Sequence, residues 1–312
     1  MTVSIGLGLM DFPFADAAGY WRWVDMCEAG GVDSLWQTDR LVSRTPILEC
    51  MSVMAALAGR TRRIKFGMNV VSLALRDPVL LAKQCATIDV LSEGRLLPAF
   101  GIGSPRGPEW DALNIDTSTR GARTDEGLDI IARLWREDRV DFEGKYYRLR
   151  GASISPRPVQ PDLPMWIGGG SDAAIKRTGR IGTGWLAGPE TPADAGPIVT
   201  AIRAAAVGFG RTIEEDHYGA GFPYYLGDPT DAVVAPAMAA YAKRTGRDPQ
   251  GYFAAGDAAA IVARVDEYVA VGVTKFVLRS IGSDPALVLA QTRRLISEVL
   301  PLVAGRYQAQ HK

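Results

Sequence analysis
Three consecutive glycines, Gly168-Gly169-Gly170, join the apolar run Met165-Trp166-Ile167 to Ser171-Asp172 and the helical segment AAIKRTG. The apolar run favours a strand, and serine followed by aspartate is a helix start that carries its own side-chain cap. This junction sets unpaired N–H donors and the positive end of a helix dipole beside backbone without Cβ atoms, so a phosphate can approach closely. A tight turn alone needs about one glycine, and three favour phosphate contact through the Gly169, Gly170 and Ser171 backbone. By contrast, Gly101-Ile102-Gly103 followed by Ser104-Pro105-Arg106-Gly107 misses the dinucleotide-binding spacing and has a proline in the turn, which excludes a Rossmann reading.

Charged candidates are few. Arginine stays protonated across physiological pH, so Arg40 cannot shuttle a proton. It can bind an anion, pair with Asp39 at a barrel mouth, or stabilise negative charge that develops during reaction. Arg106 suits an anionic substrate or a cofactor tail, while Glu109 reads as a solvated loop carboxylate. Of the two histidines, His217 opens a strand region and faces a loop, and His311 lies in the polar tail. Trp166 reads as core. Trp185 reads equally as core or as the wall of a ring pocket, and Met10 as an adaptable wall or core filler. Cys27, Cys50 and Cys85 are odd in number, widely spaced and in apolar helical surroundings. Buried reduced thiols are expected there, with neither a disulfide framework nor a metal site.

These side chains need elements to hold them. Short β-favouring runs alternate with longer amphipathic ones, the pattern of βαβ units on a parallel sheet. Strands are predicted over residues 3–9, 34–37, 64–71, 96–101, 165–168, 184–187, 219–226 and 275–280. The first helix is predicted over 17–29, stopped by Gly30-Gly31. Pro46 and Pro78 are placed at the entrances of the next two helices. Leu128, Ile131, Leu134 and Trp135 form one stripe on a helix, as do Leu295, Val299 and Val303 on the last. The fold class is therefore α/β, a single (β/α)8 TIM barrel over residues 1–312. Insertions fall before strand 5, where FEGKYYRL reads as a hairpin, and before strand 8, around 246–271. In such barrels functional groups follow the strands: Met10, Asp39, Arg40, Asn69, Gly103, Ser104, Arg106, Gly168 to Ser171, Trp185 and Arg279.

Lysine plus arginine number 35 and aspartate plus glutamate number 35. No net field draws the chain to nucleic acid or an anionic membrane, and a small-molecule substrate fits better. The start MTVSIGLGLMDF has no basic n-region, and no run is long enough to span a bilayer, so a soluble cytoplasmic protein is expected.

With these elements in place, AGGVDSLWQTDRL, the stretch ALAGRTRRIKFGMNVVSLALRDPVLLAKQCATIDVLSEGRLLPAFGIG and RPVQPDLPMWIGGGSDAAIKRTGRIGTGWL resemble the luciferase-like monooxygenase family in order and spacing. The resemblance covers nearly the whole chain. It implies a TIM barrel that binds FMN or the deazaflavin F420, with a non-proline cis peptide joining Asn69 to Val70 against the cofactor ring. It also implies a homodimer built on early helices, where Cys50, Met51, Val53 and Met54 make the sequence apolar. Many members have histidine at the position of Arg40, and F420-dependent sugar dehydrogenases have a catalytic glutamate near Arg106. The leading expectation is a monooxygenase that uses reduced FMN, supplied by a partner flavin reductase, on a small organic substrate. The alternatives are F420-dependent hydride transfer and a catalytically degenerate flavin-binding protein.

Overall fold
Helix starts follow caps written in the sequence. Asp16 accepts from the Gly19 amide and Asp77 from Val79 and Leu80, with Pro78 at the first helical position. Glu49 accepts from Met51 and Ser52, so the second helix begins at Cys50, and Pro46 lies in the preceding loop rather than at its entrance. Positive φ at the first helix end falls on Gly31, at 80°.

The computed structural model describes residues 2–307, and His311 lies outside the described residues. In chain order the first half contains β1 (Ser4–Leu9), α1 (Ala17–Ala29), β2 (Ser34–Gln37), α2 (Cys50–Arg60), β3 (Lys65–Met68), β4 (Val71–Ser72), α3 (Pro78–Leu91), β5 (Leu96–Leu97), β6 (Ala99–Gly101), α4 (Glu109–Ala112) and α5 (Arg120–Arg136). The hairpin β7 (Val140–Glu143) and β8 (Arg148–Ala152) follows, antiparallel as the FEGKYYRL motif suggests. The second half contains β9 (Trp166–Gly168), α6 (Asp172–Ile181), β10 (Gly184–Leu186), α7 (Pro192–Gly208), β11 (Tyr218–Ala220), β12 (Pro223–Leu226), α8 (Val234–Thr245), β13 (Ala254–Gly256), α9 (Ala258–Val269), β14 (Lys275–Ser280), α10 (Pro285–Arg294) and α11 (Leu300–Tyr307).

The sheet is parallel and curled. β1 pairs with β2 and β14, β2 with β3, β3 with β5, β4 with β6, β6 with β9, β9 with β10, β10 with β11, and β11 with β14. Three runs expected as unbroken strands are each split in two. The Asn69–Val70 peptide is cis and parts β3 from β4; Pro98, which has no N–H to give a ladder, separates β5 from β6; and Gly221-Phe222 lies between β11 and β12.

Trp36, Leu97, Ala99, Trp166, Leu186 and Val277 form one buried cluster, with Val70 packed against it. A larger apolar layer lies between strands and helices and takes in Leu128, Ile131, Leu134, Leu295, Val299 and Val303. Cys27, Cys50 and Cys85 are free and buried. Met51, Val53 and Met54 are also buried, between 0 and 5% exposed. The apolar face of α2 is thus used within the chain itself, so the apolar character of these four residues is accounted for by the core. No helix among the described residues is long and apolar enough to cross a membrane.

Candidate active site
The C-terminal ends of the strands open onto a cavity of about 570 Å³, into which Met10, Arg40, Asn69, Val70, Gly103, Ser104, Gly168 and Gly169 all project backbone or side chain. Its floor is the cis Asn69–Val70 peptide. Val70 presses on two glycines: a Cβ on Gly101 would lie 2.6 Å from Val70 Cγ2, and one on Gly168 would lie 3.1 Å from both Val70 methyls. Neither strand end can carry a side chain there without displacing the bulge.

Each glycine of the triplet has its own reason. Gly168 yields to Val70, Gly169 has φ 105°, and a Cβ on Gly170 would meet Ile198 Cδ1 at 2.6 Å and Glu190 Oε1 at 3.2 Å. The run is therefore explained by packing and backbone geometry alone, which removes glycine count as an argument for phosphate. The donors remain. Ser171 caps α6, accepting from the Ala174 amide at 3.3 Å, and among the described residues the amides of Gly169, Gly170 and Ser171 donate to no backbone carbonyl. Their N–H groups lie at the start of a ten-residue helix; Gly168 and Gly169 line the cavity, and the predicted Gly170 and Ser171 follow them in the chain without being among its lining residues.

The Asp39–Arg40 ion pair, one of the alternatives weighed for these residues, is not formed among the described residues. Asp39, its side chain 1% exposed, pairs with Arg76 at 2.6 Å and accepts from the Ser72 amide at 2.9 Å and from the Cys50 thiol at 3.3 Å. Arg76 also reaches Glu49 at 2.8 Å. Asp39, Glu49 and Cys50 lie close enough together to suggest a metal cluster, their ligand atoms within 4.8 Å of one another. The Arg76 guanidinium is the cation they share. Burial, then the neighbouring Asp39 carboxylate, pushes the Cys50 thiol well above its ordinary pKa. Asp39 is therefore an anchor beneath the site, whereas Arg40 is exposed at the rim and, among the described residues, unpaired.

Arg106 lies one cavity away, sharing with Asp39, Arg40 and Glu109 a space of about 520 Å³. Glu109, expected to be solvated, is 8% exposed at the start of α4. Trp185 does not line the ring cavity; it is fully buried and donates its indole N–H to the Gly169 carbonyl at 2.9 Å. Met10 is 38% exposed and faces the cavity, so it is a wall rather than core filling. His217 precedes β11 at the opposite end of the sheet, with Nδ1 2.9 Å from the Thr183 carbonyl.

Sequence reasoning missed Thr38, Ser72, Arg244 and Tyr252, which also line the cavity. Ser72 and Thr38 lie within three residues of named positions and were open to the same strand-end rule. Tyr252 comes from the insertion expected around 246–271 and Arg244 from the last turn of α8 just before it, and neither follows a predicted strand, so the strand-end rule does not reach them. Another omission is Glu190, 8% exposed, with a buried Oε2 that has no hydrogen-bond partner. Burial raises its pKa, which the nearby amides of Glu190 itself and Gly188 only partly offset.

A cavity at the C-terminal ends of a curled parallel sheet, with a bulge and Cβ-free edges, defines a TIM-barrel-like protein. The family model for luciferase-like monooxygenase matches residues 14–264, and the chain belongs to that family. An F420-dependent glucose-6-phosphate dehydrogenase of Kineococcus radiotolerans is 27% identical, covering 88% of this chain and 90% of the relative. A Mycobacterium tuberculosis relative, 30% identical over 54% of this chain, is matched over only 57% of its own length. Among solved structures, an F420-dependent secondary alcohol dehydrogenase superposes with a TM-score of 0.83 at 19% identity, over 97% of this chain and 99% of that one. The monooxygenase RslO1 from Streptomyces bottropensis superposes with a TM-score of 0.81 at 20% identity, over 96% and 99%.

Proposed function
We propose that this chain is a flavin-dependent oxidoreductase that uses reduced FMN and oxygen on a small organic substrate, built on a closed eight-stranded barrel. In that count β3 with β4, β5 with β6, and β11 with β12 are one strand each. The ring rests on the Asn69–Val70 bulge, and the phosphate takes the Gly170 and Ser171 amides. Bound FMN supplies the redox chemistry; the chain holds the ring, excludes water and orients the substrate.

One observation carries the choice of reaction. The side chains lining the ring cavity include Arg40, Arg244 and Arg279, and among the described residues no aspartate, glutamate or histidine. Oxidising an alcohol by hydride transfer needs a base for the hydroxyl proton, and guanidinium groups do not serve. They do suit a reaction in which negative charge grows on oxygen.

The second reading, hydride transfer with F420, is favoured by the F420-dependent relative and structural neighbour described above. Titrating purified protein with FMN, riboflavin and F420, then assaying turnover with and without oxygen, separates the two. Oxygen-dependent turnover with FMN is expected. Turnover that persists without oxygen on F420 selects the second reading, binding without turnover marks a degenerate flavoprotein, and binding of none overturns the proposal. A partner reductase and a homodimer belong to the same proposal, the dimer being checked by sedimentation.

A further inference from the structure
A second cavity of about 500 Å³ opens between the ends of β1 and β14 and the helix α8, and it shares Met10, Arg244, Tyr252 and Arg279 with the ring cavity. Two guanidinium groups thus stand at the junction of two chambers. Arg279 donates from Nη2 to the Tyr252 hydroxyl at 2.5 Å, and its buried Nε has no partner. Tyr252 is itself fixed: it is 1% exposed and stacks on Tyr241 at 4.8 Å, and Tyr241 donates to the Pro189 carbonyl at 3.0 Å.

Arg76, Arg177 and Lys275 are matched by carboxylates, of Asp39 with Glu49, Asp125 and Asp33 in turn, and Arg95 and Arg211 are each held by two or more backbone carbonyls; Arg279 is half-buried with one neutral hydroxyl, and Arg244 beside it is exposed. Among the described residues Arg279 and Arg244 form no ion pair. A half-buried guanidinium held by a neutral hydroxyl bears a desolvation cost that an anion offsets. The walls facing it are chiefly apolar, from Leu9, Pro13, Ala237, Ala240, Phe253 and Val288, and Asp11 is the one carboxylate among its described lining residues. Besides the arginines and Asp11 the lining offers Tyr241, Tyr252, Ser280 and Ser283, and its apolar side chains are what favour an apolar or aromatic body.

We propose that the second cavity binds a small organic carboxylate with an apolar or aromatic body, its carboxylate gripped by Arg279 and Arg244 at the junction. The carboxylate is then the part of the molecule nearest the ring cavity, with the apolar body behind it in the second cavity. This assignment rests on reading the ring cavity as the cofactor site. The arginines define an oxyanion subsite, and the competing source of the oxyanion is the cofactor's own tail.

Calorimetric titration of purified protein with phenylacetate, neutral 2-phenylethanol, glucose 6-phosphate and FMN tests it. Phenylacetate is expected to bind at least about tenfold more tightly than 2-phenylethanol, a difference of the size that a charge-assisted hydrogen bond supplies. Arg279→Met should remove that preference and leave 2-phenylethanol unchanged, while Arg279→Lys should retain part of it. Tyr252→Phe, which leaves the charge in place but frees it, should weaken phenylacetate by less. Equal binding of the two phenyl compounds, no binding of either, or tighter binding of glucose 6-phosphate overturns the proposal. Competition between FMN and phenylacetate also overturns it, assigning the arginines to the cofactor. Phenylacetate binding that survives in protein that does not bind FMN sustains this site while removing the cofactor reading.

Discussion

The indole N–H of Trp185 donates to the carbonyl of Gly169 at 2.9 Å. That carbonyl and the Gly170 N–H belong to one planar trans peptide, so they point in opposite directions. A fully buried tryptophan that draws the carbonyl inward therefore turns the Gly170 donor outward, at the start of α6. Trp185→Phe removes the bond, worth about 0.5–1.5 kcal/mol net, and lets the peptide turn. FMN affinity should fall several-fold while riboflavin, which lacks the phosphate, binds as before. Fluorescence titration of the two ligands reads the difference, and equal losses point to collapse of the whole loop.

Gly169→Val attacks the same peptide from the other side. With φ at 105° the position is strained for any residue with a Cβ. FMN binding should drop strongly and riboflavin binding much less. A loss of the same size for both would remove the phosphate assignment.

The Val70 bulge and Gly101 should behave as a coupled pair. A methyl group on Gly101 overlaps Val70 Cγ2, so Gly101→Ala is expected to cost about 1–3 kcal/mol by overpacking. Val70→Ala opens the space, and the double variant should be more stable than the sum of the single changes predicts. Denaturant unfolding of all four proteins measures the coupling; strict additivity would show that the two groups do not touch in solution.

Two neighbouring arginines should separate stability from binding. Arg76→Met strands the buried Asp39 carboxylate and is expected to cost about 3–5 kcal/mol. Arg40→Ala removes an exposed, unpaired group and should change stability by less than about 0.5 kcal/mol while lowering turnover on a proven substrate. A large drop in melting temperature for Arg40→Ala would place that residue in the scaffold instead.

Glu190 gives the stability a pH dependence of known sign. Burial raises its carboxyl pKa, so the folded state holds the proton more tightly than the unfolded chain does. The stability from this source is full below the unfolded value of about 4.3 and is lost as pH rises through the raised folded value. Gln at this position has no proton to lose. The melting temperature of Glu190→Gln minus that of wild type should therefore increase between about pH 4 and pH 8, whatever constant offset the amide introduces. A difference that does not change with pH would show that Glu190 titrates normally.

Much of this architecture was legible in the residues. The α1 boundaries, the helix entrance at Pro78, the capped start at Ser171, the Leu128-Ile131-Leu134-Trp135 stripe and the alternation of strands with helices are local in origin: they depend on side-chain period, caps and φ preferences within a few residues. The strand-end rule then brought Met10, Arg40, Asn69, Gly103 and Gly168 to one cavity. What the tertiary structure decided is which groups meet across distance. It gave Asp39 to Arg76 rather than to its neighbour Arg40, buried the apolar face of α2 within the chain, placed Trp185 behind the glycine loop, and carried Arg244 and Tyr252 over the barrel. None of these leaves a mark in local spacing, because each is settled by competition among distant partners for burial and for charge.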